Sequence, residues 1–151
     1  METKLVIAAL AFLAIPVVVS EFVTIGGEQF YAEYAYLTRD ESMAACNQRN
    51  MTLLTFDKPG KYDAVLNWTV FQGYHSQVFW TGAVRPENAK KWIWEPSGAQ
   101  ISQFHWGLLE PTEDHNKNTI CIYFWPYFGG WFDEPCDNSS STALLCEFVQ
   151  N

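Results

Sequence analysis

Cys121-Ile122-Tyr123-Phe124-Trp125-Pro126-Tyr127-Phe128-Gly129-Gly130-Trp131-Phe132-Asp133-Glu134-Pro135-Cys136 is the stretch on which the fold turns. Residues 119–124 read as a strand, Gly129-Gly130 as a turn, and the two cysteines bracket a loop that holds Trp131 and Asp133. A second short stretch, Trp106-Gly107 leading into Glu110-Pro111-Thr112, lies just upstream. Between Glu110 and Asp137 fall six carboxylates, Glu110, Glu113, Asp114, Asp133, Glu134 and Asp137, against one cation, Lys117. Such a concentration repels itself unless a cation or a basic partner relieves it; the bland alternative is a set of solvated loop acids.

Upstream of this region the pattern is that of an exported chain. Residues 1–20 have the layout of a secretory signal: Lys4, then an apolar run from Leu5 to Val19, then a small-residue cleavage site around Val18 and Ser20. The mature chain is expected to begin at Glu21 and to form one domain over 21–151, with its core in about 30–148. The apolar run is too short for a spanning helix and no second one follows, so no membrane span is expected in the mature chain. Secretion to the extracellular space is the expected localisation.

Four cysteines in an exported chain are expected to form two disulfides, with three connectivities open. A four-cysteine zinc site fits poorly, because positions 46, 121, 136 and 146 contain no Cys-x-x-Cys knuckle. The tripeptides beginning at Asn50, Asn67 and Asn138 are sequons for N-glycosylation. The net charge of −8 argues against a nucleic-acid partner, since an acidic surface repels phosphates. The aromatic share of 17% exceeds what a core of this size needs, so some rings are expected at a contact surface.

Periodicity gives the remaining elements. Residues 30–37 suit a first strand, and Thr38-Arg39-Asp40-Glu41 has capping-box spacing for a helix through Cys46 to about Asn50. A second helix is expected to start at Asp57 and to send Val65, Leu66 and Val70 to the core. Residues 78–84 read as a buried strand, 91–94 as a short one and 144–149 as a closing one. Helices early and strands late, with a turn-rich region between, argue for an α+β class.

Together these residues resemble the C-type lectin domain in its short, four-cysteine form. Cys46, Cys121, Cys136 and Cys146 fall in the family's order, Trp80-Thr81-Gly82-Ala83 resembles its Trp-Ile-Gly-Leu stretch, and Trp106-Gly107 precedes Glu110-Pro111 as in the family. The resemblance implies a C-type lectin-like fold: two helices flanking small antiparallel sheets, a long loop region, and disulfides Cys46–Cys146 and Cys121–Cys136. It also implies a cis bond before Pro111 that aims the Glu110 carbonyl at a metal.

In the family's mannose-type members, Glu-Pro-Asn, a glutamate ahead of the third cysteine and Trp-Asn-Asp supply calcium ligands and bind neighbouring sugar hydroxyls. Here Glu110 and Asp133 match. Thr112 replaces the first asparagine, Thr119 stands at the glutamate with Asn118 beside it, and Phe132 replaces the second asparagine. The calcium and sugar candidates are therefore Glu110, Thr112, Asn118 and Asp133, with Glu110 and Asp133 the metal candidates proper. Expected partners are glycans or glycoproteins. The alternative is a calcium-independent module that binds a protein or lipid through the aromatic run of residues 123–128. No catalytic residues are expected: the cysteines serve as disulfides, His75, His105 and His115 lack zinc spacing, and no nucleophile elbow or phosphate loop is present.

Overall fold

A computed structural model describes residues 20–112, 119–137 and 140–149. Among the described residues two α-helices lie in the first half, interspersed with short strands, and strands with one 3-10 turn at Pro126–Phe128 make up the second half. The strands and α-helices are β1 (Ser20–Ile25), β2 (Glu28–Glu33), β3 (Leu37–Thr38), α1 (Arg39–Asn47), β4 (Met51–Leu53), α2 (Lys61–Phe71), β5 (Phe79–Arg85), β6 (Ile93–Trp94), β7 (Ile120–Trp125), β8 (Gly130–Pro135), β9 (Ser140–Ser141) and β10 (Leu144–Phe148). One antiparallel sheet has the order β1-β2-β10-β4, a second β6-β5-β7-β8, and β3 pairs with β9. The two helices and small antiparallel sheets agree with the expected α+β architecture.

The chain order differs from the sequence reading in one respect: a hairpin precedes the helices. Strand β1 pairs with β2 along its whole length, from Ser20 opposite Glu33 to Ile25 opposite Glu28. Gly26 and Gly27 form the turn at φ +58° and +86°, a conformation open to glycine without steric cost. An apolar leader pattern running up to Ser20 masks this strand in the sequence, although the Gly-Gly pair marks its turn.

Helix α1 begins as its spacing predicts. The Glu41 backbone N–H donates to Thr38 Oγ1, and the Thr38 N–H donates to Glu41 Oε2 at 2.8 Å, a reciprocal capping box. Helix α2 starts four residues later than Asp57. Its N-cap is Gly60 at φ +78°, because the Asp57 carboxylate is committed to the Thr55 hydroxyl at 2.9 Å and the Lys61 ammonium at 3.0 Å. Val65, Trp68 and Thr69 are buried. Val70 is a correction: five residues beyond Val65 it lies about 140° round the helix and faces solvent.

Two apolar clusters share the interior. The larger packs α2 over both four-stranded sheets through Phe30, Leu54, Phe56, Val65, Phe124 and Trp131. The smaller lies beneath α1 and contains Met51, Trp80, Val84 and Leu144 with Cys46, Cys121 and Cys146. Both implied disulfides are present: Cys46–Cys146 staples α1 to β10, and Cys121–Cys136 closes the base of the β7–β8 hairpin.

The sheets are joined at Gly82. Its N–H donates to the Leu54 carbonyl and its carbonyl accepts from the Glu95 N–H, both at 2.8 Å. A Cβ there would lie 2.7 Å from the Glu95 oxygen, so only glycine allows the approach. The β5–β7 register shifts between Trp80 and Val84, and the buried Thr81 hydroxyl donates to the Ile122 carbonyl inside the shift.

Candidate functional site

The sheet β6-β5-β7-β8 presents its outermost strand to the 106–112 segment. Asp133 therefore sits on β8 rather than on a loop, and Trp131 points from the same strand into the core. This placement corrects the reading of Trp131 and Asp133 as loop residues: the expected strand and turn are followed by a second strand, so that a hairpin forms with Ile122 opposite Asp133 and Tyr123 opposite Phe132. Alternation along β8 buries Trp131 and Asp133 on one face and leaves Phe132 half-buried on the other. An aspartate only 3% exposed needs partners, and the 106–112 segment supplies them.

That segment is held against β8 by backbone contacts. The Gly107 N–H donates to the Trp131 carbonyl at 2.9 Å and the Trp131 N–H to the His105 carbonyl at 2.7 Å. Two glycines make the approach possible. A Cβ on Gly130 would lie 2.5 Å from the Gly107 nitrogen, and one on Gly107 would meet the Phe132 ring at 2.5 Å. The peptide between Glu110 and Pro111 is cis, as the resemblance implies.

The segment delivers Glu110 and Thr112 to Asp133. The Thr112 N–H donates to Asp133 Oδ1 at 2.7 Å, and the Thr112 hydroxyl lies 3.5 Å from the same oxygen. The Asp133 N–H reaches Glu110 Oε2 at 3.4 Å. Three of the four predicted site residues thus converge; Asn118, like Glu113, Asp114 and Lys117, lies outside the described residues. Asn138 does too, whereas Asn50 and Asn67 are both exposed.

The electrostatics of the pair are unusual. Desolvation, and a hydrogen-bond position shared with the Asp133 carboxyl, push the Glu110 carboxyl up to about 7. Burial, then the charges of Glu134, Glu110 and Asp133, push the Tyr123 phenol up to about 12. The donor set is made wholly of hard oxygens, which is the chemistry calcium takes. It supplies two carboxylates and one hydroxyl among the described residues, where no three of His, Cys, Asp and Glu cluster to hold a metal. Phe132 contributes no side-chain oxygen. The residues present fit calcium in kind and fill part of the six to eight positions it prefers.

The pair sets a pH dependence for the metal-free protein. Folded Glu110 holds its proton to about pH 7, while the unfolded chain releases it near 4.5. Between those values the folded state binds more protons, so this contribution is full below about 4.5 and is lost as pH rises through 7. With chelator present, thermal unfolding should show wild type losing stability relative to Glu110→Gln across that window. Parallel pH profiles for the two proteins would contradict this.

The sequence nominates the aromatic run 123–128 for contact; what it misses is that Phe132 joins that run and that Leu108 and Leu109 stand exposed ahead of Glu110. Phe132 stacks on Tyr123 with centroids 5.4 Å apart, Trp125 packs edge-on against Phe128, and Phe128 edge-on against Tyr127. Phe124 fills the core, whereas Tyr127 and Phe128 are 62% and 53% exposed. Leu108 and Leu109, both 84% exposed, form the turn ahead of Glu110. The signal for this arrangement was period-2 alternation on β7 and β8, which the aromatic density obscures.

Residues 36–148 match the family described as the lectin C-type domain. Among solved structures, TC14, a C-type lectin from the tunicate Polyandrocarpa misakiensis, is 18% identical with a TM-score of 0.64, covering 81% of this chain and 99% of its own. Human lithostathine is 19% identical with a TM-score of 0.68, over 99% of this chain and all of its own. The cow C-type carbohydrate-recognition domain of CD23, crystallised in the presence of GlcNAc2Man3 oligosaccharide, is 15% identical with a TM-score of 0.67, covering 86% and 94%. At these identities the structures speak to fold alone. No curated protein matches the chain in sequence.

Proposed function

This chain belongs to the C-type lectin domain family, and on that premise we propose that it is a secreted carbohydrate-binding lectin whose calcium-dependent sugar site is built on Glu110, Thr112, Asn118 and Asp133. It is a binding module and not an enzyme. The observation that carries the reading is the convergence of the Glu110 and Asp133 carboxyls, from separate segments, beside the Thr112 amide and hydroxyl. Two carboxyls this close are relieved by a shared proton or by a cation. When bound there, calcium would supply a hard centre at which neighbouring hydroxyls of a sugar ring are held.

The protein's own part is orientation and hydrogen bonding. The Thr112 N–H fixes one Asp133 oxygen and so orients the carboxylate toward Glu110, the direction from which a cation or a sugar hydroxyl would be met. Glu110 accepts from the sugar in the same way, and Asn118 adds an amide that donates and accepts. Glu110-Pro111 leans toward mannose-type sugars, while Thr112 is shorter than the asparagine behind that preference. Glycans or glycoproteins are the partners this chemistry fits. Among the described residues no helix is long and apolar enough to cross a membrane, and the two disulfides suit an oxidising, extracellular setting.

Calorimetric titration with calcium tests the metal. One weak site is expected, with Kd on the order of 10⁻⁴–10⁻³ M as in other extracellular modules, and it should vanish in Asp133→Asn. No heat from the wild type, or equal heat from the variant, would count against the reading.

A second reading rests on a specific observation: Phe132 stands where an oxygen donor is expected, and Tyr127 and Phe128 are exposed close by. On that reading the module binds a protein or lipid through its aromatic edge without calcium. Binding to any partner that survives both chelation and Asp133→Asn, and fails in Tyr127→Ala, would favour it.

A further inference from the structure

Helix α2 carries an apolar edge that the fold does not cover. Val70 and Phe71 are 51% and 82% exposed, and Tyr34, 41% exposed, donates its hydroxyl to the Gly73 carbonyl just past the helix end. Buried residues of this helix lie on the opposite face, at Lys61, Val65, Trp68 and Thr69. Adjacent large apolar side chains left in water mark a surface that something covers. The sequence places a candidate cover on the same face. Asn67 of the sequon Asn67-Trp68-Thr69 is exposed, and Val70 and Phe71 stand at i+3 and i+4 from it, the positions that neighbour it on a helix surface.

We propose that Asn67 carries an N-linked glycan that lies over Val70 and Phe71 and shields this edge of α2. The chemistry joins the Asn67 amide nitrogen to an anomeric carbon. The nitrogen gives up a proton as the bond from that carbon to a lipid-pyrophosphate carrier breaks, and the lipid pyrophosphate leaves with the bonding electrons. The carrier is the oligosaccharide donor of the secretory compartment, so the proposal rests on export of the chain and is independent of the sugar site on β8. Sugar rings present C–H faces as well as hydroxyls, so the first residues of a glycan can cover aliphatic and aromatic groups and stay wet outside.

The fold also sets the time of modification. Trp68 is 9% exposed, and Thr69 is fully buried with its hydroxyl donated to the Leu66 carbonyl at 2.7 Å. An enzyme that reads the whole sequon in extended form must act before α2 folds. Glycosylation at Asn67 therefore precedes the burial of Trp68.

The test uses the full chain secreted from a eukaryotic cell line. Peptide mapping after amide-cleaving deglycosylation in heavy-oxygen water should find Asn67 converted to labelled aspartate. An unmodified Asn67 in the secreted, disulfide-bonded protein would overturn the proposal. Binding of a hydrophobic dye should rise, by roughly twofold or more, when the glycan is removed enzymatically or by Asn67→Gln. The triple variant Asn67→Gln, Val70→Ser, Phe71→Ser should return dye binding to the level of the glycosylated protein. A carried glycan whose removal leaves dye binding and self-association unchanged would show that it shields nothing, and would overturn the covering role. Because the readout is surface exposure, failure of sugar or calcium binding elsewhere leaves the outcome interpretable.

Discussion

Lys61→Met is expected to cost about 3–5 kcal/mol of stability at neutral pH, the range for removing one partner of a buried ion pair. Lys61 is 8% exposed and Glu147 is 7% exposed, and they join the first turn of α2 to β10. The Lys61 ammonium also contacts Asp57 Oδ1 at 3.0 Å and Thr55 Oγ1 at 3.3 Å. Burial pushes the Glu147 carboxyl up, against the Lys61 charge that holds it down. Without the ammonium, Glu147 is left charged in a desolvated place or must take a proton. The cost should therefore shrink as pH falls.

The size of the effect is separable from the worth of the pair. Replacing both partners removes the stranded charge, so Lys61→Met with Glu147→Gln should recover most of the loss. Glutamine keeps an oxygen for the Thr55 N–H, which now donates to Glu147 Oε1 at 3.1 Å, and so avoids a new unsatisfied donor. Urea denaturation of the three proteins measures this. A single-variant cost below about 1 kcal/mol, or a double variant no better than the single, would contradict the pairing.

The two disulfides should differ in worth. Cys46–Cys146 closes a separation of 100 residues and Cys121–Cys136 one of 15. In the chain-entropy model these are worth ~4.7 and ~3 kcal/mol. Replacing each pair by alanine and comparing denaturation midpoints should give the larger loss for Cys46 and Cys146. Their sulfurs also fill the cluster beneath α1, which adds a packing loss in the same direction. The reverse order would show that local hairpin closure dominates.

Much of this architecture was legible because separate signals agreed. Thr38 and Glu41 marked a helix start by a reciprocal bond that depends only on spacing. The dense apolar run ending at Val84 read as a buried strand and is one, all seven residues of β5 being buried. What failed did so where tertiary partners override local pattern. Asp57 looks like a helix cap, yet it serves a lysine one turn on. Val70 looks like core until the buried stripe is fixed by Val65 and Thr69.

The candidate site was legible in part, and for a similar reason. Glu110, Thr112 and Asp133 were nominated by motif and do converge. Their convergence depends on Gly107 and Gly130, whose missing side chains let two backbones touch, and nothing in the motif announces that. Phe132 read as a lost ligand. Its ring in fact packs on Tyr123 and over Gly107, so this position holds the segment in place whatever it has lost in coordination.

The measurement that bears most directly on the account is calcium titration repeated in the presence of simple sugars, on wild type and Asp133→Asn. Coupled binding is expected: calcium heat in the wild type, sugar heat only once calcium is present, and neither in the variant. Sugar binding that is indifferent to calcium and to Asp133, or no sugar binding at saturating calcium, would contradict a lectin site built on the Glu110 and Asp133 carboxyls.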